Sequence, residues 1–363
     1  MINEKDQITT IQVAVIVVNA MLGSGILTLP RSSATLVQTP DVWISVLLGG
    51  LLAMIAGVVM AVLAKRYPGQ TVFQFNGRIL GKWIGALVSL MFVVYFFMTA
   101  AYQVRIVTEV TSLFLLEGTP NWAIIMVFMW VSLYLMTGGI NPIARLFEMI
   151  LPVTILIYLL VMLMALNIVE VNNLRPVLGD GIAPVWKGIK STALSFLGVE
   201  TILILTAFMK RSEQAVKAVV YGVAVPMALY LITVVVVIGA LSVDGVVTRT
   251  WPTLDLIRSF EYTGLIFERF ESLFLVIWIM QIYSTYTISF YAAALGLAQL
   301  FNRPVAQCLY GLLPIVFIIS VTPKDLTACF AFGDLLGQSS AFIFGLIPFF
   351  LLLITRVRKG KSG

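Results

Sequence analysis

The stretch IQVAVIVVNAMLGSGILTLP, residues 11–30, is long and apolar enough to cross a bilayer, yet Gly23-Ser24-Gly25 interrupts it and Thr28-Leu29-Pro30 closes it. Hydrocarbon offers no hydrogen-bond partner, so a helix inside it must pair its own backbone groups. Glycines flanking a serine weaken the helix where weakness is most costly. A break of this kind frees N–H and C=O groups that can hold a small polar ligand or ion. The same residues also suit close helix packing, because small side chains let backbones approach. The choice between these readings needs support from elsewhere in the chain.

Composition sets the class. Hydrophobic residues make up 60% of the chain, charged residues 11%, and mean hydropathy is +1.02, so this is a polytopic α-helical membrane protein. Histidine is absent, which excludes imidazole catalysis, imidazole metal ligation and the usual pH switch near neutrality. Cys308 and Cys329 lie in or near apolar segments without CxxC spacing and suit buried packing, so neither a metal site nor a cofactor is expected.

Ten spans are expected, at about 8–36, 42–64, 83–104, 122–138, 146–167, 189–209, 215–241, 272–298, 305–320 and 328–355. With that number both termini share one side. That side collects most of the 23 Lys and Arg residues, whereas the acids Asp244, Asp255, Glu261, Glu268 and Glu271 gather opposite. The positive-inside rule then places both termini in the cytoplasm. The net charge of +6 follows from this asymmetry and is no argument for nucleic acid binding. In the outer connection 242–271, Leu254, Ile257, Phe260, Leu265, Ile266 and Phe270 recur at helical spacing. They predict short amphipathic helices lying across the outer face as an interfacial cap.

A second break supports the first. The sixth span reads Ser195-Phe196-Leu197-Gly198-Val199-Glu200-Thr201, with a glycine beside a carboxylate at mid-membrane. Such a carboxylate costs about 2.5–3.5 kcal/mol to insert, so it faces the protein interior or a water-filled cavity. Glu200 is therefore a functional candidate, its alternative being a protonated side chain hydrogen-bonded between helices. Spans one and six are each first in a set of five, so the second set is inverted in the membrane. Weak helices at corresponding positions of two halves point to a ligand site at the repeat interface. The halves are expected at 8–167 and 189–355, joined by an outer loop at 168–188 and followed by a basic tail at 356–363.

The segment Gly23-Ser24-Gly25-Ile26-Leu27-Thr28-Leu29-Pro30 resembles the first-helix signature of the amino acid–polyamine–organocation (APC) transporters. Ser195-Phe196-Leu197-Gly198-Val199-Glu200 resembles their sixth-helix signature. Within that superfamily the chain, from about 7 to 359, is similar to the spore germination permeases, the B subunits of bacterial nutrient germinant receptors. The similarity extends through Asn19-Ala20-Met21-Leu22-Gly23, Asn172-Asn173-Leu174-Arg175-Pro176-Val177-Leu178-Gly179 and Ile266-Phe267-Glu268-Arg269-Phe270-Glu271-Ser272. The resemblance implies a 5+5 inverted repeat with helices 1 and 6 broken. It also implies a spore inner-membrane protein that senses a small nutrient, usually an amino acid, alongside A and C subunits.

The same resemblance places helices three, eight and ten beside the breaks. In the eighth, Ser284, Thr287, Ile288 and Tyr291 fall on one helical face, offering hydroxyls to a zwitterion or equally to a neighbouring helix. In the third, Phe97 and Ala101 stand one turn apart, as pocket walls or as ordinary core. Arg105 and Glu109, near the outer end, read as an interfacial ion pair, and Asp334 as a gate or cap at the outer vestibule. The ligand carboxylate is expected at the amides around Leu22, Gly23, Ser24, Gly25 and Ile26, and its ammonium at carbonyls near Phe196, Gly198 and Val199. Glu200 is expected to carry a proton and donate a hydrogen bond near the sixth-helix break, coupling pocket to protein. An amino acid permease or proton-coupled exchanger is the alternative function. An intramembrane enzyme finds no support, because no nucleophile has a visible base.

Overall fold

The computed structural model describes residues 6–259 and 270–360. Among these, regular structure is helical apart from one parallel bridge between Ile8 and Met209. The first helix, α1 (Thr10–Met21), opens on a capping box in which Thr9 and Gln12 exchange side-chain-to-backbone hydrogen bonds. It stops where the glycines begin. The Leu22 amide still reaches the Val18 carbonyl at 3.1 Å, and the chain then turns by 53° into α2 (Gly25–Val37).

The second bent pair has the same plan. The helix that follows α3 (Val42–Ala64), α4 (Val72–Leu80), α5 (Lys82–Phe114), α6 (Asn121–Thr137) and α7 (Ile140–Ala165) is α8 (Ala183–Ser195). It ends at Ser195, and three residues on Gly198 takes φ 115°, a conformation open to glycine and strained for other residues. A 3₁₀ turn, α9 (Ile202–Leu205) and a second 3₁₀ turn continue the path at 52° to α8. Ile8 stitches the beginning of the first bent pair to the end of the second, donating to the Phe208 carbonyl at 2.8 Å and accepting from the Lys210 amide at 3.0 Å.

The remaining elements are α10 (Ala215–Thr248), α11 (Pro252–Arg258), α12 (Phe270–Phe301), α13 (Val305–Val321), α14 (Leu326–Gly345) and α15 (Ile347–Gly360). Among the described residues, six helices are long and apolar enough to cross a membrane, or eight spans if each bent pair counts as one. The expected ten would require α6 and α13, 17 residues each, to cross as well. At 1.5 Å per residue each covers about 25 Å. The chain is inside-out relative to a water-soluble protein: Leu87, Val127, Leu156 and Leu163 are exposed, whereas Asn19, Gln103, Glu200, Gln281 and Thr285 are buried. That distribution is the one a lipid solvent selects.

Two sequence expectations need correction. The third span continues to Phe114, past its predicted end at 104, because the Arg105–Glu109 pair lies within the helix instead of terminating it. The short connection before it contains α4, capped by Thr71 and Gln74. The outer helix α11 does not lie on the surface: Pro252, Thr253, Leu254, Leu256 and Ile257 are all buried. Phe260, Glu261, Leu265, Ile266 and Glu268 lie outside the described residues, as does the side chain of Phe270.

Candidate functional site

The two breaks meet face to face. A Cβ added at Gly198 would lie 2.6 Å from the carbonyl carbon of Ala20, and one at Gly25 would run into the Tyr230 hydroxyl and Ser195. The glycines therefore interrupt the helices and also bring them together, so both sequence readings describe them. Leu22, Gly23, Ser24, Gly25, Ile26, Phe196, Gly198 and Val199 are all buried at this junction, with Val199 turned toward Gly57 on α3.

The backbone groups freed at the junction divide into two kinds. Carbonyls are mostly claimed by side chains. Asn19 accepts from Thr285 Oγ1 at 3.0 Å, Gly23 from Trp278 Nε1 at 3.1 Å, and Ile26 from Thr253 Oγ1 at 3.0 Å. Met21 and Ser195 share the Tyr230 hydroxyl at 2.5 and 3.0 Å. The Gly198 carbonyl, expected to face a ligand ammonium, is instead taken by the amide and hydroxyl of Thr201 at 3.1 and 2.5 Å. The amides behave differently: among the described residues nothing accepts from the N–H groups of Gly23, Ser24, Gly25 or Ile26, and Ser24 makes no side-chain cap. These amides form the start of α2, where the helix dipole is positive.

Glu200 is 1% exposed. Its Oε2 accepts the Gly198 amide at 2.8 Å and its Oε1 pairs with the Tyr95 hydroxyl at 3.0 Å. A backbone N–H can only donate, so Oε2 is an acceptor toward the break, and the expected donor role falls to Oε1, at Tyr95. Tyr95 in turn stacks edge-on against Phe344 at 4.8 Å, and its hydroxyl faces Ser340 and Thr99. Glu200 thus links the second break to α5 and α14.

The face of α12 turned to the first break is Trp278, Gln281 and Thr285, positions i, i+3 and i+7. A Cβ on Gly23 would stand 2.5 Å from Thr285 Oγ1 and 3.1 Å from Gln103 Oε1. Ser284, Thr287 and Tyr291 lie about a third of a turn around the helix. Ser284 bonds back to the Met280 carbonyl at 3.0 Å, Thr287 Oγ1 faces Tyr283 without a well-formed hydrogen bond among the described residues, and Tyr283 reaches the Val131 carbonyl of α6 at 3.3 Å. Spacing identified a polar stripe but not its direction, because 72% of this span's window is buried and polar residues occur on several sides. On α5 the residues facing the breaks are Tyr95, Thr99, Tyr102 and Gln103, which puts Phe97 and Ala101 on the opposite side at 3.6 residues per turn. Sequence reading missed Tyr95, Gln103, Tyr230, Trp278, Gln281 and Thr285. Gln103 and Gln281 carried a usable signal, an amide side chain within an apolar span.

A direct comparison follows. Thr285→Val removes the hydroxyl that serves the Asn19 and Gln281 carbonyls and should cost about 1 kcal/mol or more. Thr287→Val removes a hydroxyl without a well-formed hydrogen bond among the described residues and should be close to neutral. Melting curves of the purified variants in detergent check the difference; equal losses would show that the α12 assignment is wrong.

Toward the end of the molecule away from the termini, α2, α8 and α14 enclose a cavity of about 740 Å³. Asp334, Arg31, Lys190, Thr28 and Gln338 line it. α11 closes over α2 through Thr253, and Phe330 stands between Trp251 (5.6 Å) and the Arg31 guanidinium (5.2 Å). On this outer helix, burial raises the Asp255 carboxyl above its usual range, opposed by Arg249 and Arg258. Arg105 and Glu109 do pair, at 2.5 Å. Arg105 is only 6% exposed and Glu109 is half-buried, so the pair packs within the protein beside Cys329 and is not the interfacial pair expected.

The family described as spore germination protein matches residues 7–329. The chain is 53% identical over 359 residues to spore germination protein YndE of Bacillus subtilis (strain 168), covering 99% of each. It is 37% identical over 353 residues to spore germination protein A2 of the same organism, covering 97% of this chain and 96% of that one. In fold it is similar to MhsT, solved in complex with L-phenylalanine, with TM-score 0.74 and 11% identity over 94% of this chain and 89% of that one.

Proposed function

The chain belongs to the spore permease family of spore germination proteins, and from that premise we propose that it is the nutrient-sensing subunit of a germinant receptor. In this reading it binds a small amino acid between its two helix breaks and passes the signal to A and C subunits. It works in the bilayer of the spore inner membrane with both termini cytoplasmic. The observation that carries the proposal is the set of uncapped amides at Gly23–Ile26, set against carbonyl ends of α1 and α8. Amides at a helix start suit a carboxylate, and carbonyls at helix ends suit an ammonium. One small zwitterion satisfies both. Glu200 and Asp334 are assigned to coupling and gating. Glu200 ties the second break to α5, so a shift at the break moves Tyr95; Asp334 stands in the outer cavity on the route to α2.

The transporter-like fold equally suits a permease or proton-coupled exchanger, because fold alone does not fix function. The test is net uptake of labelled amino acids by the purified chain in sealed vesicles, alongside equilibrium binding to the same preparation. Saturable binding without net uptake is expected. Sustained uptake, accelerated by a proton gradient, would replace the receptor reading with the exchanger.

A further inference from the structure

Tyr230 occupies an unusual position at the junction. Its single hydroxyl proton serves two carbonyls, Met21 at 2.5 Å and Ser195 at 3.0 Å, which lie at the C-terminal ends of α1 and α8. The partial negative charges of two helix ends therefore converge on one neutral phenol. Beside it, the Ser195 hydroxyl is buried, 2% exposed, and has no hydrogen-bond partner among the described residues. Gly25 leaves just enough room for the phenol, since a Cβ there would collide with the Tyr230 hydroxyl and sit 3.1 Å from Ser195 Cβ. One donor is thus shared between two carbonyls, beside a hydroxyl oxygen that accepts from neither phenol nor backbone. A primary ammonium, with three N–H groups and a full positive charge, satisfies all of them.

We propose that the Tyr230 hydroxyl is a resident competitor for the ligand's ammonium: it seals an ammonium site formed by the Met21 carbonyl, the Ser195 carbonyl and Ser195 Oγ, and so sets the ligand concentration needed for a response. The proposal rests on the amino acid site described above and adds its regulation. Withdrawal of the phenol has a structural basis. Pro226, one turn before Tyr230 on α10, lacks the N–H that would hold that turn together, which allows α10 to bend there. One residue before and three residues after Tyr230, the Tyr158 hydroxyl bonds the Leu229 carbonyl at 2.7 Å and Thr233 Oγ1 at 2.7 Å, so the flanking backbone is anchored while the Tyr230 ring moves. The Phe196 ring lies edge-on to Tyr230, with centroids 5.5 Å apart. Withdrawal would therefore reach the sixth-helix break directly.

The competition predicts the sign of a substitution effect. In Tyr230→Phe the carbonyls are unpaired before ligand arrives, so the ligand no longer has to displace a hydrogen bond. Affinity should rise about fivefold, the equivalent of one hydrogen bond, although the ligand-free protein melts earlier. A Tyr230 that merely pinned the two helices would give the lower melting point with no gain in affinity. The measurement is the ligand-induced rise in melting temperature of the purified chain in nanodiscs, titrated with methylammonium and, separately, with a panel of amino acids. Tighter methylammonium binding in Tyr230→Phe than in the native protein is expected; equal or weaker binding overturns the proposal. Ser195→Ala, which leaves both Tyr230 hydrogen bonds in place, should weaken methylammonium binding severalfold. It decides the matter if Tyr230→Phe does not fold, and unchanged affinity there overturns the proposal. Methylammonium behaving as expected while no amino acid binds would leave the competitor in place and remove the amino acid reading.

Discussion

Gly198→Ala is expected to eliminate folded protein from the membrane. Gly198 sits at φ 115°, where an L side chain is strained by about 1–3 kcal/mol. The added methyl would also lie 2.6 Å from the carbonyl carbon and 2.7 Å from the carbonyl oxygen of Ala20. Those are backbone atoms at the end of α1 and cannot rotate away. Relief requires the two bent pairs to separate, which would break the hydrogen bonds that Tyr230 makes across the junction. Gly311→Ala is the matched control: nothing lies within 4 Å of its would-be Cβ, and alanine favours the helix. Immunoblots of membrane fractions should show Gly311→Ala at native level and Gly198→Ala near background. Normal accumulation of Gly198→Ala would mean that the breaks do not touch as described.

Glu200 gives the second large effect, one that separates geometry from ionisation. Glu200→Leu leaves the Gly198 amide without its partner in a buried place, while the Tyr95 hydroxyl turns to Ser340 or Thr99 and its tie to the break is lost. The unpaired amide costs about 1–3 kcal/mol, enough to disorder the second break and abolish nutrient response. Glu200→Gln keeps the geometry: its amide oxygen accepts from Gly198, and its amide nitrogen donates to the Tyr95 oxygen once that hydroxyl turns toward Ser340 or Thr99. Most of the response should survive. The check is nutrient-triggered germination of spores carrying each variant, normalised to membrane protein level. A glutamine variant as inactive as the leucine variant would show that ionisation itself is required and would favour the proton-coupled exchanger.

The uneven legibility of this protein in its sequence has a physical basis. Both breaks announced themselves because glycine and a carboxylate are costly inside an apolar helix, and the bends fall at Leu22–Ser24 and Phe196–Gly198. The second span, bounded by Asp41 and Lys65, was read at 42–64 and found at Val42–Ala64. Which way each helix faces was much harder to read. A membrane helix is apolar toward lipid and apolar toward most of its neighbours, so its hydrophobic pattern does not reveal its site face. The polar stripe of Ser284, Thr287 and Tyr291 and the pair Phe97 and Ala101 therefore lie on other faces of α12 and α5 than the residues that touch the breaks. Thr285, one residue from Ser284, holds the carbonyl of Asn19, 266 positions earlier in the chain. Tyr230 was invisible for the same reason: a tyrosine in an apolar span resembles core until the carbonyls of both breaks are found at its hydroxyl.

The central claim is that a zwitterionic nutrient lies between the two breaks, and a structure of the purified protein with a bound amino acid from the panel tests it most directly. The account predicts ligand density with its carboxylate within hydrogen-bond distance of the Gly23–Ile26 amides and its ammonium beside the Met21 and Ser195 carbonyls. Density confined to the outer cavity lined by Arg31 and Asp334, with the junction of the breaks unchanged, would contradict it.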